Sequence, residues 1–124
     1  MATSPYYIAV KELECISVVS ISDIAISTAV GYDSAQVDGA GEPMHGIAKF
    51  DTTSGESATI VTHGEAVGIS GAAIAAAGTL LATDASGRLV TAASTNNIVG
   101  VALGTTAGAD EYFPFMIQAQ GVLA

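Results

Sequence analysis

Two histidines, one cysteine, twelve carboxylates and a few glycine-flanked serines are the side chains of this 124-residue chain that could support chemistry. His63-Gly64-Glu65 reproduces the H-x-E half of a zinc deaminase signature, but the Cys-x-x-Cys half needs two cysteines, and Cys15 stands alone and upstream. His45 and His63 could meet in space. A zinc site requires three or four ligands with partners behind them, and only Cys15 or a carboxylate is left to complete one. No metal and no cofactor are therefore expected. Gly68-Ile69-Ser70-Gly71 misses the spacing of a nucleophile elbow and has no long helix after it. Gly39-Ala40-Gly41 lacks the Lys-Ser/Thr ending of a phosphate loop. Glu12 and Glu14 would share one face of a strand, as paired glycosidase carboxylates could. With no Trp in the chain to form a sugar platform, they read as a solvated face, and no enzyme is expected.

Composition points the same way. Ala, Gly, Ser and Thr fill 60 of the 124 positions, and only 15 residues are charged, so most of the surface must be small polar and apolar groups that neighbours can cover. Half the residues are hydrophobic and the mean hydropathy is +0.53, which excludes the signature of disorder. Lys11, Lys49 and Arg88 face twelve dispersed acids, for a net charge of -9. Such a balance argues against nucleic acid and against an anionic membrane surface, both of which need clustered cations. A lone cysteine excludes an internal disulfide framework. No charged segment followed by an apolar one opens the chain, so no signal peptide is expected. The uncharged stretches 66–83 and 89–109 are too rich in Gly, Thr and Asn to span a bilayer as helices.

The elements that must position these residues read as strands. Between Tyr6 and Ser27, Ile16, Val18, Val19, Ile21, Ile24 and Ile26 fall among serines in a mostly two-residue period, predicting one or two strands around a turn at Ser22-Asp23. Gly31 to Gly46 reads as loop, Ile47 to Phe50 and Ala58 to His63 as strands, and the chain stays extended past Gly64 to Ile69. The Ala-rich run Ser70 to Ala77 is too short for a helix of its own, and one helical turn at most is expected. Thr79 to Thr83, Asp84-Ala85-Ser86-Gly87 and Arg88 to Thr91 form a β-hairpin, with Gly87 at the position that needs positive φ. Ile98 to Leu103 and Tyr112 to Gln118 make the last pair of strands. Pro114 cannot donate to a ladder, so that strand is predicted to lie at a sheet edge or carry a bulge.

Gly46-Ile47-Ala48 followed by Thr52-Thr53-Ser54-Gly55 is echoed by Gly100-Val101-Ala102 followed by Thr105-Thr106-Ala107-Gly108. The echo suggests two similar strand-turn-strand units, 46–64 and 100–121. The fold expected is all-β, a small barrel or sandwich over 11–124 with short helical turns, preceded by an extended N-terminal arm, 1–10. Aromatic residues gather at Tyr6-Tyr7 and at Tyr112-Phe113-Pro114-Phe115. Phe113 and Phe115 are expected in the core. Tyr6, Tyr7, Ile8 and Val10 on the arm, together with Tyr112, are candidate partner contacts, since amphipathic rings favour interfaces.

Gly55-Glu56, His63 to Val67, Ala73 to Leu81, Asp84 to Val90 and Ile98 to Leu103, in that order, resemble the capsid cement (head decoration) proteins of tailed bacteriophages. The resemblance covers about 70 positions within 46–121 and fades in the first 45 residues. It implies a small β-rich structural protein without catalytic residues. Such a protein binds the exterior of the phage head, after synthesis in the host cytoplasm, and holds neighbouring major capsid protein subunits together. A homotrimer at local threefold positions is the first expectation and a homodimer the second. The arm is then expected to dock on a capsid strand edge by β-addition. A carbohydrate- or receptor-binding β-module on a virion or cell surface is the alternative, and a small hydrolase dependent on His63 the third reading.

Overall fold

The computed structural model describes residues 8–123. These contain eight strands and no helix: β1 (Glu12–Val19), β2 (Ala29–Val30), β3 (Gly46–Ala48), β4 (Ser57–Ile69), β5 (Leu80–Thr83), β6 (Leu89–Thr91), β7 (Asn97–Ala102) and β8 (Tyr112–Val122). They form one antiparallel sheet in the order β2-β3-β4-β8-β7-β5-β6, with β1 added on β4. The sheet nearly closes on itself, because Leu89 at the start of β6 bridges Ser70 in parallel just past β4, and Ala29 of β2 donates to the carbonyl of Gly87 at 2.7 Å.

The expected all-β class is therefore observed. The Ala-rich run takes no helical turn, since its backbone is committed sideways. Gly71 donates to Leu89 O at 2.8 Å, and Ile74 exchanges hydrogen bonds with Thr106 at 3.1 and 3.0 Å. Eight residues of helical propensity do not outweigh these long-range bonds.

β4 is the spine. Its first half pairs with β1 on one edge and β3 on the other; from Gly64 onward it pairs with β8. Gly64 marks the change with φ +93°, and a Cβ there would lie 2.6 Å from Leu13 N and 2.7 Å from Lys11 O. Only glycine fits that crossing.

Pro114 lies in β8, which is interior to the sheet between β4 and β7 rather than at its edge. The ladder tolerates it because Pro114 O accepts Leu103 N at 3.0 Å on the β7 side, one residue beyond the end of β7 at Ala102. The missing N–H points to that same side, where the neighbouring strand has stopped. β8 does carry an irregularity, but further on, where Gly100 faces Ile117 and Ile98 faces Gly121.

The sequence echo is part of a wider structural repeat. β1, β2, β3 and the first half of β4 are repeated by the second half of β4, then β5, β7 and β8. Ala29↔Ile47 and Val30↔Gly46 recur as Leu80↔Val101 and Leu81↔Gly100. Ile16↔Ile60 and Val18↔Ala58 recur as Ala66↔Phe115 and Gly68↔Phe113. The loop bridge Ile24↔Thr52 recurs as Ile74↔Thr106. The core has two apolar clusters, the smaller confined to the first half and the larger spanning both, since Ala29, Val37, Met44, Ile47 and Val61 also belong to it. Ile24, Val30, Ala48, Ala58 and Ile60 pack with Ile16 and Val18 in the smaller, and their counterparts Ile74, Leu81, Ala102, Phe113, Phe115 and Ala66 belong to the larger. Side-chain volume is exchanged across the sheet. Val18 faces the smaller Ala58, whereas Gly68 faces the larger Phe113, so the bulkier side chain comes from opposite strands in the two halves.

Candidate functional site

The carboxylates Glu12 and Glu14, expected on one strand face, diverge. Irregular register between Glu12, Glu14 and Cys15 turns them to different surroundings. Glu12 accepts from Lys49 Nζ at 2.8 Å, above a largely apolar cavity of about 260 Å³. The bond raises the Lys49 pKa. Glu14 accepts from Thr62 Oγ1 at 2.6 Å and pairs with His63 Nδ1 at 2.9 Å, and the Thr62 hydroxyl, followed by His63, holds its carboxyl below the ordinary 4.5.

The structure does bring His45 and His63 to one cavity, of about 520 Å³, where Glu14, Thr62 and Asn97 also contribute. Tyr32 stacks on His45 there, with ring centroids 5.1 Å apart. Among the described residues no three His, Cys, Asp or Glu side chains gather as a metal ion would need. Thr62 Oγ1, 3.2 Å away, approaches the same His63 nitrogen as Glu14 does, so the trio is not laid out as a nucleophile, base and orienting acid in series. Cys15 is exposed, and burial, followed by Glu12, raises its thiol pKa, the opposite of activation. Ser70, central to Gly68-Ile69-Ser70-Gly71, is fully buried and donates to Gly108 O at 2.7 Å. It is a turn clamp.

Of the candidate contacts, Tyr6 and Tyr7 lie outside the described residues. Ile8 and Val10 are half-buried and line the apolar cavity with Ile26, Ile47, Phe50 and Val67. Behind them, Glu65 N donates to Lys11 O at 2.9 Å, so the segment entering β1 lies along β4. Tyr112 is half-buried beside a different groove, near Arg88, Asp110 and Gln36. The two sets do not meet, although Ile26 borders both cavities.

Sequence reasoning missed the most exposed apolar group. Leu13 (69% exposed), Val19 (66%) and Ile21 (64%) stand out on β1 and the residues just after it, together with exposed Cys15 and Ser17. The signal was available in the adjacent pair Val18-Val19. Strand alternation buries one of two neighbours and must turn the other outward. β1 is also bonded on one edge only, to β4, among the described residues.

Clamped turns, two packed clusters and an apolar outer strand define a small all-β structural domain. The chain belongs to the phage cement protein family, whose model matches residues 13–117. No curated protein matches it. Among solved structures, the head fiber gp8.5 N base of bacteriophage phi29 is similar with a TM-score of 0.68 at 16% identity, over 90% of this chain and 98% of that one. At that identity the likeness concerns the fold. The family makes this chain a structural protein of the phage head.

Proposed function

We propose that the protein binds the outer surface of the phage head and stabilises the lattice of major capsid protein. Membership of the cement family across 13–117 carries the reading. Its physical basis is a rigid, sparsely charged β-domain with an apolar outer strand, used many times over a symmetric shell, where modest contacts add through effective concentration. Homotrimers at local threefold positions are the arrangement favoured, homodimers at twofold positions the second. Tyr6, Tyr7, Ile8 and Val10 are proposed as capsid contacts on the arm, and Tyr112 as a further contact. Co-sedimentation with expanded heads that lack the protein tests the reading. Saturable binding at a fixed number of copies per capsid subunit is expected, and failure to sediment with heads would reject it. Deleting residues 1–10 tests the arm: head binding should be lost while the domain keeps its fold.

One observation favours a second reading. Tyr32 is 68% exposed and stacks on His45 at the mouth of a cavity with several polar neighbours, as a sugar-binding platform would be. Retention on a glycan array, abolished by Tyr32→Ala, would support it.

A further inference from the structure

From the internal repeat we infer that the free edge of β1, Cys15 to Val19, is a docking site for an extended segment of another protein that carries cationic side chains, supplied in the virion by the capsid. The inference rests on the cement reading and names the surface it uses.

The argument begins with the repeat. Cys15, Ser17 and Val19 correspond to Glu65, Val67 and Ile69, since Cys15↔Val61 and Val19↔Ser57 recur as Glu65↔Met116 and Ile69↔Tyr112. In the second half the outer edge is covered by other backbone of the same chain. Glu65 N donates to Lys11 O at 2.9 Å and Ile69 N to Ser27 O at 3.2 Å. Gly64 pairs with Glu12 and with Ile117, which places β1 and β8 on opposite edges of β4. The fold thus contains one occupied copy of this edge. In the first half nothing among the described residues pairs with the corresponding edge.

An unpaired strand edge is a template for strand addition, and soluble proteins ordinarily blunt it with Lys, Pro or a covering loop. Between Cys15 and Val19 β1 has no Lys or Pro and, among the described residues, no covering loop, and its outward side chains are Cys15, Ser17 and Val19, with Leu13 and Ile21 beyond them. Backbone bonds would supply the pairing, and the exposed apolar Leu13, Val19 and Ile21 the added contact.

Charge selects the occupant. Glu14 stands at one end of the edge and Glu56 and Asp23 at the other, while Lys49, the cation beside Cys15, is already paired with Glu12 at 2.8 Å. Ser20 N donates to Glu56 O at 2.9 Å and Ser54 N to Asp23 Oδ1 at 2.9 Å, which places those acids beside the Val19 end. A second copy would bring another net -9 against this one, whereas a strand with Lys or Arg at its flanks meets complementary charge.

The test compares full-length wild type, Ser17→Pro, Val19→Lys and Val19→Thr for co-sedimentation with expanded heads that lack the protein, alongside thermal unfolding and sedimentation velocity of each free protein. Ser17→Pro removes the central outward N–H, and Val19→Lys sets a cation on the added strand's path without touching the core. Both should weaken head binding tenfold or more at unchanged Tm, and Val19→Thr should bind like wild type. Binding of wild type and all variants alike would overturn the β1 inference and leave the cement reading standing. No binding by wild type would reject the cement reading itself. A wild-type free oligomer that Val19→Lys dissociates would assign the edge to a second copy and overturn the inference.

Discussion

Ser20 and Ser70, fifty residues apart, make the same bonds in two successive halves of the chain. Each is buried, each backbone N–H donates at 2.9 Å to the carbonyl of a glutamate, Glu56 and Glu111, and each hydroxyl donates across the same loop, Ser20 to Thr53 O at 3.0 Å and Ser70 to Gly108 O at 2.7 Å. Both accept on their own carbonyl from a residue in the left-handed region, Gly55 and Asp110. The loops that join β3 to β4 and β7 to β8 are therefore fastened by one device used twice.

Removing either hydroxyl takes away the hydrogen bond from a buried serine to a partly exposed loop carbonyl, so Ser20→Ala and Ser70→Ala should each cost about 0.5–1.5 kcal/mol. They share no partner, so the double variant should show the sum within about 0.5 kcal/mol. Urea unfolding of the three proteins measures this. A loss below the error of extrapolation for both single variants would refute the clamp.

Phe115 packs against glycine on both neighbouring strands. A Cβ on Gly100 would lie 2.5 Å from Met116 O and 2.7 Å from the Phe115 ring, whereas one on Gly68 would meet Leu89 Cδ1 at 2.5 Å and Phe115 at 3.2 Å. Backbone cannot yield as a methyl can. Gly100→Ala should sit at the upper end of the roughly 1–3 kcal/mol cost of overpacking, and Gly68→Ala below it. Thermal unfolding ranks the two, and the reverse order would contradict the packing account.

Glu14 gives the stability a definite acid dependence. Its pKa is lowered on folding, so its contribution is present above the ordinary 4.5 and disappears as the pH falls through the folded value. The carboxylate is exposed and the effect correspondingly small. The urea midpoint of Glu14→Gln should lie below that of wild type at pH 6 and converge with it in acid. A gap that persists unchanged below pH 3 would exclude the carboxylate as its source.

Arg88 ties the β5–β6 turn to the β7–β8 loop, with Nε 3.0 Å from Asp84 and Nη1 3.0 Å from Asp110. The bond to Asp110, first, and the charge of Asp84 raise its pKa. The side chain is partly exposed, so Arg88→Ala should cost only about 0.5–1 kcal/mol, and 1 M salt should shrink the difference. Salt titration of the unfolding midpoint checks both.

The hairpin at 79–91 was legible because its turn is local: Asp84 Oδ1 accepts Ser86 N at 2.8 Å and Arg88 N at 2.9 Å, within the sequence that predicts it. The echo of Gly46-Ile47-Ala48 in Gly100-Val101-Ala102 was legible as well, and both segments pair in equivalent registers. The rest of the repeat was hidden because its two halves exchange size. Val18↔Ala58 and Gly68↔Phe113 are one pairing filled in opposite ways, and no comparison of residue types aligns Val with Gly or Ala with Phe. The interior place of Pro114 was illegible for a different reason, because it depends on where the neighbouring strand stops. On the candidate surface, Tyr112 was visible as an aromatic among small residues, while Leu13, Val19 and Ile21 were lost among other β-branched and aliphatic residues whose facing only the register decides.

The central claim is most directly tested by electron cryomicroscopy of expanded heads with and without the purified protein, reconstructed with icosahedral averaging. The account predicts added density of the size of this domain on the outer surface, at one class of symmetric position and touching adjacent capsid subunits. Identical reconstructions, or added density on the inner face alone, would contradict it.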